Sequence, residues 1–263
     1  MQGKAWLEWS YKPTNYFEHP FKFKNKNYEI EIWDGRVKVM LFAEEYHKLN
    51  RIPENLIDDI RSKIDFVFMA VQLETHGLYD ISKSYSFHYA RPNGRKSITI
   101  PLEGGSFTVA GGGADFKVTD SKGRVIVDTR AERIRRKEEF AKLALKHGPK
   151  DNTAQSMLRS FRGSINDPGN LLVHLYEIVE ALNKKFCGQQ KAINAIGFSR
   201  NRWKRLKKLA NVEPLIEGRH RGSFAGQLRN ATKGEVEEAT KIAEEMIHKY
   251  FYYLNEIESK AHC

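Results

Sequence analysis

The spacing of apolar side chains passes from a mainly strand-like to a helical period near residue 128, and that change constrains the fold more than any other feature. From Tyr28 to Trp33 apolar and polar residues alternate, Asp34-Gly35 supplies a two-residue hairpin turn, and Val37-Lys38-Val39-Met40-Leu41 alternates again. The same period returns in Tyr85-Ser86-Phe87-His88-Tyr89, in Ser97-Ile98-Thr99-Ile100, and in Phe116-Lys117-Val118 and Val125-Ile126-Val127 around Asp120-Ser121-Lys122-Gly123. A period of two puts one face of each segment in a core and the other in water, so this region predicts an antiparallel sheet. One helical pattern interrupts it. Leu56, Ile57, Ile60, Ile64, Val67, Phe68 and Val71 recur at helical spacing between Pro53 and Gly77, which gives the sheet a covering helix.

Beyond residue 128 the period becomes helical almost throughout. Thr129 to His147 is a charged helix stopped by Gly148-Pro149, and Asn152 to Arg162 is a short one. Asp167-Pro168 precedes the most apolar helix, Gly169 to Phe186, whose apolar residues occupy most of its circumference and place it at the centre of a bundle. Gln189 to Ile196 and Arg200 to Ala210 follow, joined by Gly197-Phe198-Ser199. After a loop from Asn211 to Gly226, Thr232-Lys233-Gly234-Glu235 has the spacing of a capping box and begins the last long helix. The fold class is therefore α+β: an α+β domain over residues 1–128, followed by a helical domain over residues 129–263. The boundary falls near 128–150. With 263 residues at 40% apolar, the chain is long enough to bury a core without metals or disulfides.

Two cysteines exclude a disulfide framework and a Cys-rich zinc site, and no run of apolar residues is long enough to cross a membrane. The opening residues carry no secretory pattern, so the expected location is the cytoplasm. Charge is more informative. Residues 1–128 hold 18 Lys/Arg against 17 Asp/Glu, whereas residues 129–263 hold 26 against 16. Ten of those basic residues lie between 189 and 229, with Glu213 and Glu217 the only acids there. A concentrated patch of this kind points to an anionic partner, nucleic acid before a membrane surface. Its densest part is Arg200, Arg202, Lys204, Arg205, Lys207 and Lys208, the candidate nucleic-acid-binding residues. The bland alternative is a solvated helix face. Gln189 to Ala210 also has the layout of a helix-turn-helix, with Ala192, Ile196, Phe198, Trp203 and Leu206 near the required apolar positions; Ile193 stands where a small residue is favoured.

For chemistry the choices narrow by elimination. No HExxH, CxxC or EF-hand spacing occurs, so no metal or cofactor is expected, and no GxSxG elbow is present. Glycines 104–105 and 111–113 sit between strand patterns and read as hairpin turns or bulges rather than a phosphate loop. Cys187 reads as packing at the end of an apolar helix, and His174 as a hydrogen-bonded core histidine. The loop Gly218-Arg219-His220-Arg221-Gly222 puts a group that titrates near neutrality between two guanidiniums. His220, Arg219 and Arg221 are therefore the candidate catalytic residues for metal-independent phosphoryl transfer, beside the alternative of a basic loop tip.

The second region, from Leu171-Leu172-Val173-His174-Leu175-Tyr176-Glu177 through Leu209-Ala210-Asn211 and Gly218-Arg219-His220-Arg221-Gly222 to the helix bearing Tyr250 and Leu254, resembles the HEPN superfamily. The resemblance implies a bacterial or archaeal helical bundle, often dimeric, acting on or binding RNA in antiviral defence or toxin–antitoxin systems. Active HEPN ribonucleases carry Arg, four to six residues, then His; none of the nine histidines here has an Arg at that distance. The expectation is a nucleic-acid-binding protein, RNA before DNA, self-associated or bound to a partner protein. A metal-independent ribonuclease, a helix-turn-helix DNA-binding regulator and a ligand- or protein-sensing module are the alternatives.

Overall fold

The computed structural model describes residues 4–42, 52–90, 96–99, 117–119 and 125–261. The glycine-rich stretch 104–113 lies outside them. An antiparallel sheet is followed by a helical region, the α+β architecture that the two periods imply. By compactness the chain forms two units, residues 1–62 with 77–138 and residues 63–76 with 139–263.

The first unit is built on strands β1 (Lys4–Lys12), β2 (Phe21–Lys24), β3 (Tyr28–Trp33) and β4 (Arg36–Leu41). After the first residues of helix α1 (Glu54–Thr75) come β5 (Asp80–Ile81), β6 (Ser86–Ala90) and β7 (Lys96–Thr99). The strands lie in the order β2-β3-β4-β1-β6-β7, with β5 also on β1, and every pairing is antiparallel. A separate hairpin, β8 (Lys117–Thr119) and β9 (Val125–Asp128), leads into α2 (Thr129–His147). The β3–β4 turn has Asp34 and Gly35 at positive φ, the left-handed pair that this hairpin requires.

The expected strands begin at Tyr28, yet the central strand is β1. Ala5, Leu7, Trp9 and Tyr11 point into the core, while Lys4, Glu8, Ser10 and Lys12 take the other face. The inner face continues through Val37, Val39 and Leu41 of β4 and Tyr28, Ile30 and Ile32 of β3. The first turns of α1 meet this layer, where the Tyr28 hydroxyl donates to Asp59 Oδ2 at 2.9 Å. Elsewhere in the unit, Glu18 accepts from Arg133 at 2.7 Å and from Lys137. These hydrogen bonds, Arg133 first, hold its carboxyl at about 2 despite partial burial.

The second unit contains the rest of α1, the end of α2, α3 (Asn152–Asn166), α4 (Leu171–Lys185), α5 (Gln189–Ala195), α6 (Arg200–Asn211) and α7 (Lys233–Ala261). Gly163 does not end α3, which runs to the Asp167-Pro168 stop, four residues past the expected end. Leu172, Leu175, Tyr176, Ile178, Val179 and Leu182 of α4 are buried, and the helix packs on α3, α5, α6 and α7, the central position its composition implies. At the start of α7, Thr232 Oγ1 accepts from the Glu235 N–H while Glu235 accepts from the Thr232 N–H, a complete capping box. Asp151 ties three helices together. It caps α3 through the Ala154 N–H at 2.8 Å and accepts from Lys185 at 2.9 Å and from the buried Tyr250 hydroxyl at 3.0 Å. Burial pushes the Asp151 carboxyl up, but Lys185, the Ala154 N–H and Tyr250 together leave it below its ordinary value.

Candidate nucleic-acid interface

Helix α6 is positioned by its own apolar face. Trp203, Leu206, Leu209 and Ala210 recur at helical spacing and are fully buried. The turn before it is fixed three ways. Gly197 takes φ +59°, the Phe198 N–H donates to Ile193 O at 2.9 Å, and Lys249 of α7 donates to Gly197 O at 3.0 Å. Ser199 then N-caps α6 through the Arg202 N–H. Ala192, Ile196, Phe198, Trp203 and Leu206 are all buried, so the apolar positions of the helix-turn-helix layout form one core; Ile193 is buried with them.

The six basic residues of α6 do not form one free surface. Arg202 and Arg205, at the border of the buried face, reach back to α7 and pair with Glu245 and, at 2.8 Å, with Glu238. Arg200 donates across the turn to Gln190, and Lys208 pairs with Glu213 at 3.0 Å. Lys204 and Lys207 are exposed and have no carboxylate partner among the described residues. With Arg200, Asn201 and Lys208 they make the outward stripe of the helix. Spacing alone cannot separate the two sets, because the separation depends on where the acids of α7 lie.

The loop 212–232 is held by Leu215, 1% exposed, and by backbone bonds that join Pro214 and Ile216 to Arg229. At Gly218 a Cβ would stand 3.1 Å from Leu215 O and 3.2 Å from Ala210 O, so the close approach of the loop to the end of α6 favours glycine. Arg219 pairs with Glu180 at 2.7 Å and lies 4.8 Å over the Tyr176 ring. Arg221 donates to Gly169 O at 2.9 Å and to Asn170 Oδ1 at 2.5 Å. The two guanidiniums are thus engaged at different places, one along α4 and one at the Pro168–Asn170 turn before it. His220 stands exposed between them with no side-chain partner among the described residues, so neither Arg is held on it.

Beside Arg221 lies a group that sequence reasoning leaves apart. His174 is a quarter exposed, not a core residue, and sits between Asp167 Oδ2 at 3.3 Å and Glu177 Oε2 at 3.5 Å. Ser160 donates to the same Glu177 oxygen at 2.8 Å. The Asn170 amide first, then His174 and the nearby Arg221, hold the Asp167 carboxyl below its ordinary value. The i, i+3 and i, i+7 spacings of Glu177 and Asp167 from His174 were the available signal. The group borders a cleft of about 390 Å³ onto which Arg159, exposed, also opens. Cys187 is exposed rather than packed, because φ of +53° turns the chain out of α4 at that residue.

Among the described residues no group of three or more His, Cys, Asp or Glu could hold a metal ion, and no helix is long and apolar enough to cross a membrane. The chain matches no family model, no curated protein and no solved structure.

Proposed function

We propose that the helical unit binds nucleic acid through the outward stripe of α6, with RNA the first ligand and duplex DNA the second. One observation carries the reading. Lys204 and Lys207, one turn apart, lack the carboxylate partners that their neighbours Arg202 and Arg205 have, so their charge is available to phosphate without breaking an internal pair. Lysines on a regular helix read backbone rather than bases, which suits binding of limited sequence preference. RNA comes first because of the resemblance to HEPN proteins, which also suggests a place in antiviral defence or a toxin–antitoxin system. Duplex DNA is favoured by a different observation, the burial of all five apolar positions of the α5–α6 helix-turn-helix layout.

The test compares Lys204→Glu/Lys207→Glu with Arg202→Gln/Arg205→Gln by fluorescence anisotropy on single-stranded RNA and on duplex DNA over a salt series. The lysine variant is expected to lose most binding. A milder Lys204→Gln/Lys207→Gln pair should flatten the slope of log K against log salt by about 1.4 on single strands or about 1.8 on duplex, two phosphates' worth. The arginine pair should lower thermal stability more than affinity. Binding undiminished in the lysine variants would leave α6 a solvated face. RNA incubated with the protein in EDTA, with and without His220→Ala, separates binding from cleavage at the Arg219-His220-Arg221 loop; intact RNA in both supports the binding reading.

A further inference from the structure

The helical unit holds a groove that nucleic-acid binding through α6 does not use. Gly163 lies against the His174 ring, Ser160 donates to Glu177 and Lys185 donates to Asp151, so α3 and α4 run antiparallel, side by side. On the solvent side of that pair lies the cleft of about 390 Å³, at the small end of the range of ligand sites. Asn152, Gln155, Ser156 and Arg159, at i, i+3, i+4 and i+7, bring one face of α3 to it, and His174 and Glu177 line it from α4.

The two walls offer opposite charges. On α4, Glu177 is held from behind: Ser160, 8% exposed, donates to Oε2 at 2.8 Å, and His174 Nδ1 stands 3.5 Å from the same oxygen. Its Oε1 has no partner among the described residues, and the side chain is 45% exposed. On α3, the Arg159 guanidinium is exposed and has no partner among the described residues, and the same holds for the side chains of Asn152, Gln155 and Ser156. A fixed carboxylate and a free guanidinium thus open onto one small cleft without pairing with each other. A ligand that answers both carries N–H donors and an anionic group close together. Phosphate is disfavoured as that anion, because Glu177 and Asp167, on either side of His174, repel a dianion. An ammonium and a carboxylate on one carbon carry no net charge and satisfy both walls.

We propose that this cleft binds a free α-amino acid with an uncharged polar side chain. The ligand carboxylate accepts from Arg159, and its ammonium donates to Glu177 Oε1. Its side chain exchanges hydrogen bonds with those of Asn152, Gln155 and Ser156. The site shares no residue with α6 and would stand if the nucleic-acid reading failed.

The full-length protein is titrated with glutamine, asparagine, serine, leucine and AMP by isothermal calorimetry. At least one of the three polar amino acids should bind, and more tightly than leucine or AMP. Its N-acetyl and carboxamide forms, which each remove one charge, should bind about tenfold or more weakly, the loss of one charged hydrogen bond. Arg159→Gln and Glu177→Gln should each cost as much. Arg159→Gln should also stop distinguishing the carboxamide from the free acid, and Glu177→Gln should stop distinguishing the N-acetyl form, because each variant lacks the partner of the missing charge. Thermal melts verify that both variants are folded; Glu177→Gln keeps an acceptor for Ser160. Absence of binding by all three polar amino acids at millimolar concentration, leucine or AMP binding as tightly as the best of them, blocked forms binding undiminished, or binding indifferent to both substitutions would overturn the proposal.

Discussion

Two glycines of the helical unit look alike in sequence and differ in what surrounds them. At Gly148 a Cβ would stand 2.5 Å from Cδ1 of Phe66, a ring 2% exposed and unable to retreat. At Gly163 it would stand 2.9 Å from Nδ1 of His174, whose side chain is a quarter exposed and can turn outward. Overpacking a buried ring costs about 1–3 kcal/mol, whereas alanine inside a helix gains about 1 kcal/mol over glycine. Gly148→Ala should therefore lower the thermal midpoint by several degrees. Gly163→Ala should leave it nearly unchanged while releasing His174 from Asp167 and Glu177, seen as a shifted imidazole resonance. Equal melting losses in the two variants would show that burial of the neighbour does not decide the outcome.

Between elements, the end of α1 is fastened to α7 by two reciprocal pairs, His76 with Glu244 and His248 with Glu74 at 2.9 Å. The hydrogen bond that His76 donates to Glu244, partly opposed by burial, raises the His76 pKa above its ordinary value. A raised histidine contributes stability that is fully present below its unfolded value and is lost as pH rises through its folded value. His76 thus contributes a fall in the midpoint from pH 6 towards pH 8, and His76→Asn, which tolerates the φ of +53° there, should remove that contribution. An unchanged slope in His76→Asn would assign the pH dependence to another group. At this scale most helices and the β3–β4 hairpin were legible, because their cores are set by local periodicity and turn chemistry. Strand β1 carries the same signal, since Leu7, Trp9 and Tyr11 alternate with Glu8, Ser10 and Lys12, but Trp6 on the outer face interrupts it and no turn residue marks its start. The candidate interface was half legible. Composition marks α6 as basic, but only tertiary placement of Glu238 and Glu245 tells Lys204 and Lys207 from Arg202 and Arg205.

For the whole molecule, compactness does not follow chain order. Sequence periodicity changes near residue 128, but the helical unit also takes in residues 63–76, the second half of α1. From Phe66 to Leu73 every residue of that segment is buried. Within the unit, Phe66 packs on Gly148, His76 lies 5.8 Å from the Phe161 ring, and both pairs to α7 start there. Each fully buried Phe, Val or Leu stabilises by about 1.5–3 kcal/mol, so losing several of them removes a large part of a net stability of about 5–15 kcal/mol. A fragment of residues 129–263 should therefore keep much of its helical far-ultraviolet signal but lose its near-ultraviolet signal and its cooperative melt. Fusing residues 54–76 to its N-terminus through a flexible linker should restore both. The comparison is sharpened by a fusion carrying Phe66→Ala, which should melt below the wild-type fusion by the cost of truncating a buried aromatic, about 3–5 kcal/mol. If residues 129–263 alone melt cooperatively at the temperature of the fusion, the α1 segment is dispensable to the helical unit and the boundary lies where the periodicity changes.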